Sequence, residues 1–158
     1  AKVILIDPLE SRRENALNYG ADYTVDPGRE DFYEEILRLT NGRGPSVVIE
    51  ASGNDKGIAS LFDLAGHSAR VGLIGHSIGR KVPVEIGKTI WKTLKISGSG
   101  GTDRWFPRTI RFMSTIKDKY DFAALNTHHF DFSEIHKAFD VACHDKANAR
   151  KVMLTFDK

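Results

Sequence analysis

Hydrophobic and polar positions alternate in blocks along the chain. Val3-Ile4-Leu5-Ile6 is an unbroken apolar run that ends at Asp7, and Ser46-Val47-Val48-Ile49-Glu50 repeats the pattern. Runs without polar alternation suit strands of a parallel sheet covered by helices on both faces. Further strands are expected at Asp22 to Val25, stopped by Asp26-Pro27-Gly28, at Ala69 to Ile74 and at Thr93 to Ser97. Between them the apolar spacing changes to the helical period. Helices are predicted from Ser11 to Tyr19, with Gly20 just past the end, from Asp31 to Thr40, with Phe32, Ile36, Leu37 and Leu39 inward, from about Asn54 to Ala65, and from Arg104 to Lys117. Lys81 to Ile86, with Pro83 inside it, reads as an edge strand or an extended loop.

Strands alternating with helices of about ten residues imply right-handed βαβ units, a parallel sheet and an α/β fold. Past Tyr120 the rhythm changes. Thr127 to Phe132 looks extended, Ser133 to Cys143 helical with Ser133 as N-cap, and Arg150 to Phe156 is a last strand, so the tail is expected in another layer or domain.

Composition changes this picture little. The 158 residues are 41% hydrophobic and 28% charged, an ordinary globular balance with material for one core. The 23 basic and 21 acidic residues are interspersed, which argues against a nucleic-acid partner. No apolar run approaches the ~20 residues that cross a bilayer, so no membrane role is expected. The single cysteine, Cys143, precludes an internal disulfide and a multi-cysteine zinc cluster, and a cytoplasmic location is expected.

The candidate chemistry begins at Asp7. An acid at the carboxyl end of a parallel strand takes the adenosine ribose hydroxyls in dinucleotide-binding folds and disfavours a 2′-phosphate; the same residue can equally be a solvated helix-capping Asp. Gly75-His76-Ser77-Ile78-Gly79 matches the G-x-S-x-G nucleophile elbow, with Ser77 as nucleophile and His129 or His136 as base, but Arg80-Lys81-Val82-Pro83-Val84 opposes the helix an elbow requires. Gly98-Ser99-Gly100-Gly101-Thr102-Asp103 begins like G-x-G-x-x-G, yet Asp103 replaces the third glycine, and the segment reads as a tight strand-to-helix turn. If Asp7 is the ribose acid, the glycine fingerprint belongs about 20 residues earlier. The chain is therefore expected to lack the first βα unit of a Rossmann-like doubly wound sheet and to be part of a longer gene product.

In one register from Ala1 to the end, the sequence resembles the C-terminal half of medium-chain dehydrogenases of the zinc-type alcohol, polyol and threonine classes. V-I-L-I-D-P-L-E-S-R-R-E-N-A-L-N-Y-G-A-D-Y-T-V-D resembles the family's second strand, helix and turn into the third strand. V-V-I-E-A-S-G, A-R-V-G-L-I-G and L-K-I-S-G-S resemble its fourth, fifth and sixth strands; T-H-H-F-D-F-S-E-I-H-K-A-F-D and A-R-K-V-M-L-T-F resemble the segment returning to the catalytic domain. The resemblance implies a partial NAD-binding Rossmann-type domain over 1–98, and over 99–158 a linking helix and return segment. It implies that Asp7 takes the adenosine ribose diol and that Arg12 packs near that ribose or the adenine. Val71, Gly72 and Leu73 would meet the nicotinamide ring and carboxamide, a Ser97 backbone N–H that carboxamide, and Lys151 the pyrophosphate. Arg12 and Lys151 also read as ordinary surface cations.

No catalytic or metal-binding residue is expected in this chain, because His128, His129, His136 and His144 lack companion ligands and the family's zinc ligands lie in the other half. The implied parent is an NAD(H)-dependent zinc-type alcohol or polyol dehydrogenase, with this chain alone inactive and a homo-oligomer, dimer or tetramer, formed through the sheet edge near 82–97. The alternatives are a serine hydrolase using the elbow, a class I methyltransferase, whose second strand also ends in a ribose-binding acid, and a non-catalytic Rossmann NAD-binding module.

Overall fold

The computed structural model describes residues 1–75, 78–100 and 105–156. The chain divides into two compact units, one formed by Ala1–Gly28 with Arg104–Lys158 and the other by Arg29–Asp103. This cut runs differently from the 98/99 boundary expected from the sequence. Among the described residues every strand pairing is parallel, as the alternation of strands and helices predicts.

The Arg29–Asp103 unit holds a three-stranded sheet in the order β3-β4-β5, with β3 at Val47–Glu50, β4 at Arg70–Leu73 and β5 at Lys95–Gly98. Its core is Ile58, Leu61, Phe62, Ala65, Ala69, Val71 and Leu94, against which Val48, Leu73 and Val82 pack. Helix α3 (Asp55–Leu64) supplies the first three of these, spaced so that one stripe faces the sheet. Its N-terminus is capped by the Asn54 side chain, which accepts from the Lys56 and Gly57 amides. Its C-terminus is capped from a distance: the Lys92 ammonium donates to the carbonyls of Phe62 (3.1 Å), Asp63 (2.7 Å) and Ala65 (2.9 Å).

Two expectations are corrected in this unit. Helix α2 (Phe32–Leu39) buries Phe32 and Ile36, but Leu37 is exposed, since it lies about 100° round the helix from Ile36. The sheet is not covered on both faces either. Val47 and Ile49 are exposed while Val48 packs on the core, because α3 covers one face and the row Ile49, Gly72, Ser97 lies on the other. Residues 81–85 form no strand, the loop of the two alternatives, and lead into the short helix α4 (Gly87–Trp91).

In the other unit β1 (Ile4–Ile6) pairs with β2 (Tyr23–Val25) through helix α1 (Glu10–Asn18). Gly20 follows α1 at φ +96°, a left-handed position that suits glycine, and the Ala21 amide reaches back to the Ala16 carbonyl at 3.1 Å. Here too a strand expected to be buried is half open, with Val3 and Ile6 exposed. Helix α5 (Phe106–Ile116) carries Pro107 in its first turn and buries none of its residues.

The tail does not break the alternation. β6 (Asn126–Asp131), α6 (Ile135–His144) and β7 (Lys151–Thr155) form another parallel βαβ unit, its α6 crossover long enough for a parallel return. Ser133 is not the cap of α6. It sits inside a 3₁₀ turn, Phe132–Glu134, whose first amides are served by Asp131: that carboxylate accepts from the Ser133 N–H at 2.8 Å and from the Ser133 hydroxyl.

Candidate cofactor site

Asp7 stands where the sequence suggests, one residue beyond β1, its amide still bonded to the Val25 carbonyl at 3.3 Å. Pro8 comes next and cannot continue the ladder, so the chain turns into α1. The two carboxylate oxygens of Asp7 differ. Oδ1 accepts from the Leu9 amide at 2.8 Å, which closes the turn. Oδ2 lies 4.0 Å from an Arg12 nitrogen, inside ion-pair range but outside hydrogen-bond range, and accepts no hydrogen bond among the described residues.

Asp7 lines an open cavity of about 460 Å³. Asp7, Arg12 and Asn15 supply polar groups, Tyr19 and Phe122 aromatic walls, and Arg150 a second guanidinium. Of the residues singled out from the sequence, Asp7 and Arg12 are brought together here, whereas Lys151, the first residue of β7, is exposed and outside the lining. Arg150 was missed because side chains alternate along a strand and its start cannot be located to one residue from a sequence.

The residues expected to meet a nicotinamide lie on neighbouring strands of the other unit. Gly72 pairs with Ser97 in the β4–β5 register, and Val71 and Leu73 turn to the core side. A Cβ at Gly72 would meet only the Val48 carbonyl, at 4.0 Å, so packing does not demand glycine there and the space above its backbone is open to a planar ring. Asp7 thus keeps one carboxylate oxygen without a hydrogen bond among the described residues, and Gly72 leaves its strand face without a side chain.

The tip of β3 behaves otherwise. Glu50 is 7% exposed. Its carboxylate accepts from the Ser52 amide (2.9 Å), the Ser52 hydroxyl and the Gly53 amide (3.1 and 3.2 Å). The loop it organises crosses the end of β4 at backbone contact. A Cβ on Gly53, which sits at φ +64°, would lie 1.6 Å from the Gly75 carbonyl oxygen. The sequence pattern of β1 and β3 is alike, but this second acid serves its own chain.

Among the described residues no group of three or more His, Cys, Asp and Glu side chains converges. Cys143 is exposed, His144 is bonded to Asp140, and His128 meets the Thr127 hydroxyl and stacks on Phe130. The hydrolase elbow fares no better. Ser77 and His76 lie outside the described residues, residues 81–85 hold no helix, and the candidate bases His129 and His136 are exposed.

The fold is α/β with parallel sheets, of the Rossmann-like kind. Residues 1–115 match the family of zinc-binding dehydrogenases, and the chain belongs to that family. It is 36% identical over 104 residues to an L-threonine 3-dehydrogenase of Pyrococcus horikoshii, an alignment covering 65% of this chain and 30% of that enzyme. With the L-threonine 3-dehydrogenase of Shewanella woodyi it shares 28% identity over 155 residues, 98% of this chain and 44% of the relative. Among solved structures it resembles a short chain alcohol dehydrogenase of Escherichia coli CFT073 complexed with cofactor NADH, at a TM-score of 0.85 and 28% identity, covering 98% of this chain and 44% of that one. The chain spans less than half the length of these relatives and corresponds to the cofactor-binding part of a zinc-type medium-chain dehydrogenase. The hydrolase and methyltransferase alternatives are not favoured.

Proposed function

We propose that this chain binds NAD(H) for an alcohol or polyol dehydrogenase in which hydride passes between the alcohol carbon and the nicotinamide. The observation that carries this reading is the Asp7 carboxylate at a cavity, one oxygen fixed by the Leu9 amide and the other without a hydrogen bond among the described residues, 4.0 Å from Arg12. A fixed, unspent carboxylate accepts both hydroxyls of a ribose diol and repels a 2′-phosphate. Arg12 lies beside the ribose or adenine, and the backbone of Val71, Gly72 and Leu73 with the Ser97 backbone N–H meets the nicotinamide end, the Val71 and Leu73 side chains holding that strand on the core. Lys151 is the proposed pyrophosphate contact, with Arg150 beside it. On this reading 1–98 is the cofactor-binding layer and 99–158 the linking helix and return segment, working in the cytoplasm on a small-molecule substrate.

NAD and NADP are compared by saturation-transfer NMR on the chain. NAD is expected to give the stronger contacts at its adenosine protons, and Asp7→Ser to narrow the difference. A tenfold preference for NADP, about 1.4 kcal/mol, would overturn the assignment of Asp7.

We also propose a homo-oligomer through the region from 82 to 97. Ile86, Ile90 and Trp91 are exposed together around α4, beside the edge strand β5, a combination that soluble proteins cover or pair. Sedimentation at tens of micromolar is expected to show at least a dimer, and Ile90→Lys to return it to a monomer.

A further inference from the structure

The turn that presents Asp7 is tied by a single guanidinium. One Arg13 nitrogen, Nη1, donates to the carbonyl of Asp7 at 2.8 Å and to that of Pro8 at 2.9 Å, and stands 3.4 Å from Asp26 Oδ2. The Arg13 side chain is only 17% exposed, against 41% for Arg12. Asp26 follows β2 as Asp7 follows β1, and Ile6 pairs with Val25, so two carboxylates sit at adjacent strand tips. The other Asp26 oxygen is engaged as well, accepting from the Gly28 amide at 2.8 Å.

Two like charges at neighbouring tips repel, and an arginine beside a ribose acid is the usual means of accepting a 2′-phosphate. Here both problems have one solution. Arg13 neutralises Asp26 and spends the same nitrogen on the carbonyls of the turn. We propose that Arg13, anchored by Asp26, is a positioning residue that fixes the Asp7 turn, and that Asp26 sets ribose selectivity by keeping this guanidinium from a 2′-phosphate. The proposal rests on Asp7 being the ribose acid. A single cationic nitrogen meets two carbonyls and a carboxylate at once, a role an ammonium can also fill.

The test uses the whole chain and two probes, 5′-AMP and adenosine 2′,5′-bisphosphate, titrated by amide-resolved NMR. The wild-type chain is expected to favour 5′-AMP. Arg13→Gln should weaken 5′-AMP by about five- to tenfold, the size of one ordinary hydrogen bond lost from the turn, while Arg13→Lys stays within about twofold. Asp26→Asn, at a half-exposed site, should bring the ratio of the two affinities towards one by freeing the guanidinium. Melting temperatures measured alongside separate positioning from mere support, which would lower stability and leave the ratio unmoved. Asp7→Asn is the control. If it binds 5′-AMP as the wild type does, or if the wild type binds neither probe, the ribose reading fails and this proposal with it. If Asp7→Asn loses 5′-AMP while Arg13→Gln and Asp26→Asn change neither affinity nor ratio, the ribose reading stands and the Arg13–Asp26 proposal is overturned.

Discussion

The tips of β1 and β3 look the same in the sequence and do opposite things. Each is an apolar run ending in an acid, I-L-I-D and V-V-I-E. Asp7 spends one oxygen on the Leu9 amide and leaves the other at an open cavity. Glu50 is buried and spends both oxygens on Ser52 and Gly53. The difference lies in the residues just past each acid. After Asp7, proline and a helix start carry the chain away, so among the described residues the carboxylate accepts one backbone amide and otherwise has only the Arg12 guanidinium at 4.0 Å. After Glu50, the A-S-G loop folds back over the acid and crosses Gly75 backbone to backbone. An acid at a strand tip is therefore a candidate site only where the chain leaves its oxygens unused.

The crossing is the place to break this comparison hardest. Gly53→Ala would put a methyl into the Gly75 carbonyl oxygen while forcing a side chain into positive φ, and the Arg29–Asp103 unit is expected to lose about 3 kcal/mol or more. Chemical denaturation of the variant measures it; a loss under about 1 kcal/mol would mean that the loops can part cheaply.

The two acids themselves come next. Glu50→Ala removes the acceptor from buried donors and should cost about 2–4 kcal/mol, whereas Asp7→Ala removes one hydrogen bond from a partly exposed carboxylate and should cost about 0.5–1.5 kcal/mol. For nucleotide binding the order inverts: Asp7→Ala should lose the adenosine contacts and Glu50→Ala keep them wherever the protein stays folded. Paired denaturation and NMR titration of the two variants would undo the comparison if both acids cost the same in both assays.

A third tip sharpens it at the smallest scale. Asp131 ends β6, and its carboxyl is held below the ordinary carboxylate range, first by the Ser133 hydroxyl and then by the Ser133 and Phe132 amides. Because the folded form has the lower pKa, the stabilisation is present above pH about 4 and is lost as pH falls through the folded value. Asp131→Asn keeps an acceptor for the Ser133 amide and should flatten the acid limb of a stability–pH profile. The change is expected to be small, since the group faces solvent.

Much of the fold was legible in the residues because it rests on near neighbours. Unbroken apolar runs and period-3.6 spacing located the strands and helices, Asn54 and Gly20 stood at helix ends, and the alternation of elements implied parallel pairing. The errors came where a local pattern had more than one tertiary outcome. Leu37 fits an apolar stripe until the partner surface proves narrower, and Ser133 fits a cap until Asp131 takes the amide. The half-open sheet faces were hidden for the same reason: an apolar run announces what could be buried, not what covers it.

By itself, then, the sequence determined the α/β class, the order of its elements, the acid beyond the first strand and the likeness to zinc-type dehydrogenases, all of which rest on residues close together in the chain. Only the tertiary structure decided that Asp7 is open and Glu50 closed, that Arg150 joins Arg12 at the cavity, that Lys92 caps a helix ending 28 residues earlier at Leu64, and that Arg13 belongs to Asp26. Each of these is a meeting of groups far apart in sequence. Such meetings depend on how strands register and loops return, and no local preference encodes where a long side chain will find its partner.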